Sequence, residues 1–169
     1  MDLRHLPDLP SDEERAAVDA LLGPRKGGEP APGMREARSL RHLLLPGLHA
    51  IQDRFGWIRP AAFGYLCERL HVPPAEAFGV ASFYALFSLQ PRPPLVVHVC
   101  DDIACRANGA EGICQDLERR VRAEGESLMN GRAMWLRSPC LGQCDRAPAA
   151  LVQGAGTCLL YTSPSPRDS

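Results

Sequence analysis

The sequence predicts an α+β protein in two parts, a small helical bundle followed by a small α/β layer. Between residues 40 and 89, apolar residues recur at three- and four-residue steps, the spacing of helices with one buried face. QPRPP at residues 90–94 marks a boundary, and short β-branched runs such as LVVHVC at 95–100 follow it. Two pairs of cysteines accompany these runs, so the second part is where we expect the chemistry.

The composition is that of an ordinary globular protein. The chain of 169 residues is 45% hydrophobic and 23% charged, and its net charge of −1 gives no argument for binding nucleic acid or an anionic membrane. The first residues, MDLRHLPDLPSDEER, contain no apolar signal-peptide core, and no apolar run approaches the ~20 residues of a membrane span. We therefore expect a cytoplasmic protein, in which paired cysteines bind metal or do redox chemistry more often than they form disulfides.

Residues 1–39 are rich in proline, glycine and charge, and predict a flexible region with one short helix. Ser11 and Glu14 have the spacing of a capping box, and Gly23 follows as a stop signal. The stretch GPRKGGEPAPG that begins at Gly23 has no apolar periodicity, which is typical of a linker.

Residues 40–89 predict the helical bundle. Pro46 interrupts the first apolar face and predicts a kink or a fresh helix start, while Pro60 and Pro74 suit the first turns of a second and a third helix. ASFYALF at 81–87 predicts a short apolar helix that continues the third. The aromatic side chains of this part are expected in its core.

Residues 94–156 predict the α/β layer. The expected elements are strands at 95–100, 133–139 and 149–153 and an amphipathic helix at 109–123. A strand, a helix and a further strand imply a right-handed crossover between parallel neighbours.

Four cysteines lie at or just beyond the ends of the first two strands. Cys100 ends the first strand and Cys105 lies in the following loop, whereas Cys140 ends the second strand and Cys144 lies in the loop after it. Parallel strands would bring both pairs to the same edge of the sheet. The spacings, C-x4-C and C-x3-C, are wider than the C-x2-C of a zinc knuckle and suit two irons bridged by sulfide.

Spacing alone leaves three other occupants open. Structural zinc accepts four thiolates, a redox-active dithiol would want C-x-x-C at a helix N-terminus, and two disulfides conflict with a cytoplasmic setting. Among the neighbours, Gly142 lets the backbone pass close to the sulfurs, and Asp101 and Asp102 are interpreted as a solvated turn.

The other thiols and the histidines are not expected to be ligands. Cys67 and Cys114 lie on predicted apolar helix faces, and Cys158 is left out of the site. His98 is expected to be structural and His49 to lie on a helix surface.

The order of these motifs resembles a known family. HAIQDRFGWI at 49–58, VPPAEAFGVASFYALF at 72–87, the C-x4-C pair and C-L-G-x-C-x-x-A-P together resemble the family of the 24-kDa subunit of respiratory NADH dehydrogenase. Related subunits serve NAD-dependent formate dehydrogenases and bidirectional hydrogenases. The resemblance covers roughly residues 40–154.

This resemblance implies a helical bundle followed by a thioredoxin-like [2Fe–2S] ferredoxin domain. It implies one cluster held by Cys100, Cys105, Cys140 and Cys144, and a partner subunit that binds FMN and NADH and carries the hydride chemistry. The chain would then be a non-catalytic electron-transfer subunit, with no membrane insertion and no nucleic-acid partner. The alternatives kept are an interaction module stabilised by zinc on the four cysteines and a thiol–disulfide enzyme.

The C-terminal segment departs from the family pattern, in which another strand and a final helix follow AALVQ. The segment 157–169 is interpreted as a non-native tail on a C-terminally truncated domain, although TCLLY could pair with AALVQ as a hairpin. One sheet face would then stay uncovered, and we expect weak stability of the isolated chain.

Overall fold

A computed structural model describes residues 1–3, 9–24, 39–154 and 157–162, with only the backbone of Thr157 and Cys158. Most of the predicted linker and residues 163–169 lie outside the described residues. The chain divides into two compact units, Met1–Pro91 and Arg92–Ser169, which are described separately.

The first unit is helical. Its helices are α1 (Asp12–Leu22), α2 (Leu44–Phe55), α3 (Pro60–Leu70) and α4 (Pro74–Phe83), with a 3-10 turn at Arg41–Leu43. The predicted capping box is confirmed: the Glu14 amide donates to Ser11 Oγ at 3.2 Å, and the Ser11 amide donates to Glu14 Oε2 at 2.8 Å. It satisfies two of the amide groups that the start of a helix leaves without partners.

The prolines lie in first turns, where a missing amide hydrogen removes no helical bond. Pro60 and Pro74 open α3 and α4 as predicted, and α2 starts afresh at Leu44, so that Pro46 falls in its first turn. The core of the unit is built from apolar side chains of α2 and α3 that include Leu48, Ile51, Phe63, Leu66 and Leu70.

The predicted helical continuation through ASFYALF is wrong. The helix ends at Phe83, and Tyr84 is extended, with φ −83° and ψ 113°. The buried side chain of Gln52 binds the backbone beyond this point, donating to the Leu86 carbonyl at 2.5 Å and accepting from the Ser88 amide at 2.7 Å. These tertiary hydrogen bonds replace the helical ones, and Phe87 packs into the core while Phe83 stays 78% exposed.

The second unit is a mixed sheet with two helices. Its elements are β1 (Leu95–Cys100), α5 (Ile103–Ala107), α6 (Ala110–Arg120), β2 (Ala133–Ser138), β3 (Ala149–Gly154) and β4 (Thr157–Thr162). The sheet order is β2-β1-β3-β4. The predicted α+β class and the parallel pairing of β1 with β2 are confirmed, and β4 forms the expected antiparallel hairpin with β3.

The helix α6 covers one face of this sheet. Val99 and Trp135 pack with Cys114 of α6, and the Trp135 ring nitrogen donates to the Arg122 carbonyl at 2.8 Å. On β4, three apolar side chains are about half exposed: Leu159, Leu160 and Tyr161. Within the described ranges, no helix combines the length and the apolar character needed to cross a membrane.

Candidate metal centre

The ends of β1 and β2 bring two cysteine-bearing segments to one edge of the sheet. Cys100 lies opposite Ser138 in the parallel register, and the Asp101 amide extends the ladder with a 3.1 Å bond to the Ser138 carbonyl. Cys140 follows two residues beyond the end of β2, rather than at the strand end as predicted. Both segments therefore leave the sheet side by side, as the parallel pairing requires.

The first thiol pair is buried. Cys100 and Cys105 are 1% and 2% exposed and pack with Ala110 and Ala149. The prediction that Cys105 lies in a loop is wrong, because it lies in the short helix α5. Asp102 caps that helix: its carboxylate accepts from the Ile103 amide at 2.7 Å. The helical turn places Cys105 against Cys100, in the same packed cluster of buried side chains.

The second thiol pair is exposed. The sulfurs of Cys140 and Cys144 are 3.4 Å apart, and both residues lie at the surface. Gly142 between them has φ +75°, a conformation that glycine adopts without the steric cost of a side chain. Its amide donates to Cys140 Sγ at 3.4 Å. The expected close approach of this turn to the sulfurs is therefore present, with a backbone donor directed at one of them.

The two pairs share one electrostatic environment. Burial, with the adjacent Cys100 thiol, raises the pKa of Cys105, while the hydrogen bond between Cys144 and Cys140 raises the pKa of Cys144. The charge of Cys144 also acts on Cys105, and that of Cys100 acts on Cys144. These mutual effects mean that a thiolate at one of these positions disfavours a thiolate at a neighbouring one, a repulsion that bound cations would relieve.

The donor set fits a two-iron centre as two pairs of thiolates. Within the part of the chain that the structure describes, no three or more His, Cys, Asp or Glu side chains are grouped to hold one metal ion. A [2Fe–2S] cluster takes four cysteine thiolates, two on each iron. The Gly142 amide supplies the exposed pair with a backbone donor to sulfur, and Ala149 packs against the buried pair.

The interpretation of Asp101 and Asp102 as a solvated turn is wrong, because both carboxylates have protein partners. Asp102 accepts from the Ile103 amide and, through its other oxygen, from the Cys140 amide at 3.2 Å. Asp101 lies 3.5 Å from Arg106 and 3.5 Å from Arg137. An aspartate directly before a helix is a common N-cap, and this signal could have indicated the role of Asp102. It was missed because the helix that carries Cys105 is too short to show apolar periodicity.

Arg137 is a second residue that sequence reasoning missed. It precedes the second cysteine loop by three residues and lies among carboxylates of Asp101, Glu111, Glu118 and Glu124, with Glu111 nearest at 2.8 Å. The hydrogen bonds that Arg137 donates to the Glu111 carboxylate raise the pKa of its guanidinium. Arg137 joins β2 to α6 close to the site through its ion pair with Glu111. No sequence pattern indicates that one arginine would contact several carboxylates.

Among the described residues, Cys67, Cys114, His49 and His98 lie outside the two thiol pairs. Cys67 is buried in the core of the first unit, and this burial raises its pKa to about 12. Cys114 is buried between α6 and the sheet, and burial raises its pKa as well. The side chain of Cys158 lies outside the described part. His49 is exposed and stacks on Phe87, and His98 is buried in β1. The expected place of His49 on a helix surface is confirmed, whereas the structural role of His98 stays a prediction.

Comparison with known proteins places this geometry in a family. The model of the thioredoxin-like [2Fe-2S] ferredoxin family matches residues 34–162, which is most of the chain and includes all four cysteines. The chain belongs to the thioredoxin-like [2Fe-2S] ferredoxin family. The family resemblance inferred from the motif order is thereby confirmed.

The family members that match by sequence are subunits of NADH-quinone oxidoreductases. The matching subunit of the Escherichia coli enzyme is 31% identical over 109 residues, 64% of this chain and 66% of its own length. The corresponding Pseudomonas aeruginosa subunit is 30% identical over the same length, and subunit 2 of the Thermus thermophilus enzyme is 31% identical over 113 residues. The match to the Thermus subunit covers 66% of this chain and 62% of that subunit.

A solved structure with the same fold is an NAD+-reducing [NiFe]-hydrogenase in the air-oxidised state. It superimposes with a TM-score of 0.52 at 27% identity, over 65% of this chain and 19% of the hydrogenase chain. Thus the chain spans slightly under two thirds of the length of these oxidoreductase subunits and a small part of the hydrogenase chain.

Proposed function

We propose that this chain carries one [2Fe–2S] cluster on Cys100, Cys105, Cys140 and Cys144, and that it exchanges single electrons with the FMN of an NADH-binding partner subunit. The observation that carries the proposal is the meeting of two thiol pairs at one sheet edge in a member of a [2Fe-2S] family. A cluster bound there would supply a one-electron redox couple; the protein supplies position, potential and access.

The buried pair gives the site its fixed wall. Cys100 and Cys105 are held by the end of β1, by α5 and by packing against Ala110 and Ala149. Because these sulfurs are shielded from water, the charge of thiolates on this side is uncompensated by solvent, and bound iron would neutralise it. Competing thiols and oxidants reach this buried pair less easily than they reach Cys140 and Cys144.

The exposed pair provides access. Cys140 and Cys144 lie at the surface, on the turn that Gly142 makes possible. An electron acceptor or donor that docks on this side reaches the site without opening of the unit. The backbone donor from Gly142 would stabilise the added negative charge of a reduced cluster and would raise its potential.

The partner follows from the family resemblance and from the names of the relatives. These relatives are subunits of an NADH-quinone oxidoreductase and a part of an NAD+-reducing hydrogenase. A hydride delivers two electrons at once, and a flavin can pass them on singly, so a one-electron site pairs naturally with an FMN-bearing neighbour. We place the assembly in the cytoplasm, where free thiols are maintained.

The test is anaerobic reconstitution of the full chain with iron and sulfide. We expect a red-brown protein with about two irons per chain and a rhombic EPR signal that appears only on reduction, as four thiolates on two irons require. Colourless protein that retains one zinc would support an interaction module, and metal-free protein with two reactive thiols would support a thiol–disulfide enzyme. Either result would overturn the proposal.

The partner half of the proposal needs a second measurement on the reconstituted chain. NADH alone should leave the visible spectrum of the cluster unchanged, because the chain has no site proposed for hydride transfer. When the FMN-loaded, NADH-binding subunit of a related complex is then added, the visible absorption of the cluster should bleach within seconds. Bleaching by NADH without that subunit would contradict the division of roles.

A further inference from the structure

We propose that Asp102 is a positioning residue that ties the two cysteine segments together and sets the separation of the two thiol pairs. The inference rests on the proposed function, since positioning matters here for a cluster shared by both pairs. Its basis is a single carboxylate that bonds to both segments, the first through the Ile103 amide and the second through the Cys140 amide.

The two hydrogen bonds use different oxygens. One oxygen accepts from the amide of Ile103 at 2.7 Å and begins the helix that carries Cys105. The other accepts from the amide of Cys140 at 3.2 Å, across 38 positions in sequence. Helix capping needs only the first of these, so the second is a link between segments that capping does not explain.

The neighbouring carboxylates show that this link is specific to Asp102. Asp101 faces Arg106 and Arg137, and its side chain contributes to the arginine network rather than to the cysteine amides. Asp145 directly follows Cys144 and is exposed. All three carry the same charge close to the thiols, and Asp102 is the one for which the structure shows a hydrogen bond to a cysteine amide.

The link has a consequence for the ligands. The sheet holds the strand ends together only as far as the bond from the Asp101 amide to the Ser138 carbonyl. Beyond it, Pro139 and Cys140 continue into the exposed loop, and the Asp102 carboxylate is the next tie back to the first segment. Its loss would leave the exposed thiol pair free to move away from the buried one.

The test compares Asp102→Ser with Asp145→Ser in the full chain. Serine still caps α5 but is neutral and too short to reach the Cys140 amide, whereas Asp145→Ser makes the same chemical change without breaking the tie. After reconstitution, we expect Asp102→Ser to lose its cluster to an iron chelator roughly ten- to hundredfold faster than wild type, the range for supporting residues of metal ligands. We expect Asp145→Ser to lose it at the wild-type rate.

A spectroscopic readout separates positioning from general destabilisation. Both variants remove a negative charge and should raise the midpoint potential, but only Asp102→Ser should change the g-values of the reduced cluster, because only it alters the ligand geometry. The proposal would be overturned if Asp102→Ser lost its cluster to the chelator at the wild-type rate and kept the wild-type g-values. If Asp102→Ser does not fold, Asp102→Asn replaces it in the comparison. Asparagine keeps one accepting oxygen, so we expect a smaller increase in the rate of cluster loss and a smaller change in the g-values, judged by the same criteria.

A measurement on the metal-free protein tests the Asp102 link independently of cluster binding. Hydrogen exchange of the Cys140 amide should be about tenfold or more faster in Asp102→Ser than in wild type, since a bond to a charged acceptor is lost. This measurement needs no cluster. A wild type that binds no iron but shows this difference rejects the proposed function and retains the tie; equal exchange in both proteins rejects the tie.

Discussion

At the residue scale, neighbouring thiols distinguish the proposed ligands from the other cysteines, whereas burial does not. Cys100 and Cys105 are as buried as Cys67 and Cys114. Each of the first two has a sulfur partner, while the structure places Cys67 and Cys114 among apolar side chains. A buried thiol among apolar groups stays protonated and behaves as a small hydrophobic residue.

This difference predicts the outcome of cysteine substitution. Replacing Cys140 or Cys144 by Ser should abolish or severely weaken the cluster, because serine is a poor ligand for iron in this setting. Iron content and visible absorption after anaerobic reconstitution measure the effect.

The matched controls are Cys67→Ala and Cys114→Ala. Both should retain two irons per chain and wild-type absorption, with a modest loss of stability from the small cavity. Loss of the absorption in either control would show that the ligand set is wrong.

At the element scale, strands and capped helices were predictable because their signals are local. Alternation, β-branched runs and a capping box depend on residues within a few positions of one another. The fate of residues 84–88 was not predictable in this way, because Gln52, more than thirty positions earlier, binds that backbone. The short helix α5 escaped prediction for a different reason: five residues are too few for periodicity to show.

The antiparallel pairing of β3 with β1 depends on a glycine at the end of β3, which lies opposite Leu95. A Cβ atom added at Gly154 would lie 2.2 Å from the Pro94 carbonyl oxygen and 3.1 Å from the Leu95 Cα. Because both are backbone atoms, the strand pair would have to separate, and we expect Gly154→Ala to lower the free energy of unfolding by about 1–3 kcal/mol.

Gly112→Ala in α6 is the matched control, since the same added methyl group meets no atom within 4 Å there. It should raise the stability by about 0.5–1 kcal/mol through helix propensity. Urea unfolding followed by the fluorescence of buried Trp135, in a Trp57→Phe background, reports on the second unit. A Gly154→Ala midpoint equal to or above that of wild type would contradict the predicted backbone clash.

At the scale of the whole molecule, the chain has two units with separate hydrophobic cores. The core of the first unit is formed by helices α1 to α4, and the cores of the second lie around the thiols and under α6. The proposed ligands all belong to the second unit. Binding energy at the site should therefore stabilise that unit, as metal binding does when the unfolded chain has no preformed site.

Cluster removal should consequently act on one unit only. After chelation under reducing conditions, we expect hydrogen exchange to become faster in β1, β2 and α5, while the amides of α2 and α3 keep their protection. Mass spectrometry of peptides from both units gives the comparison within one sample. A uniform loss of protection across the chain would indicate a single cooperative unit and reject this expectation.

The α+β class, the parallel pairing of β1 with β2, the hairpin of β3 with β4 and the family could all be predicted from the amino-acid sequence. These features follow from local periodicity, from the handedness of strand–helix–strand crossovers and from an ordered set of motifs. The four proposed cysteine ligands follow in the same way, from their positions around the strand ends.

The way in which the two thiol pairs are held depends on contacts that the sequence pattern does not indicate. One pair is buried and the other is exposed, and the Gly142 amide donates to a sulfur of the exposed pair. The Asp102 carboxylate, interpreted from the sequence as solvated, links the two segments. These contacts join residues that are distant in sequence, and hydrogen-bond geometry over such separations leaves no periodic pattern in the sequence.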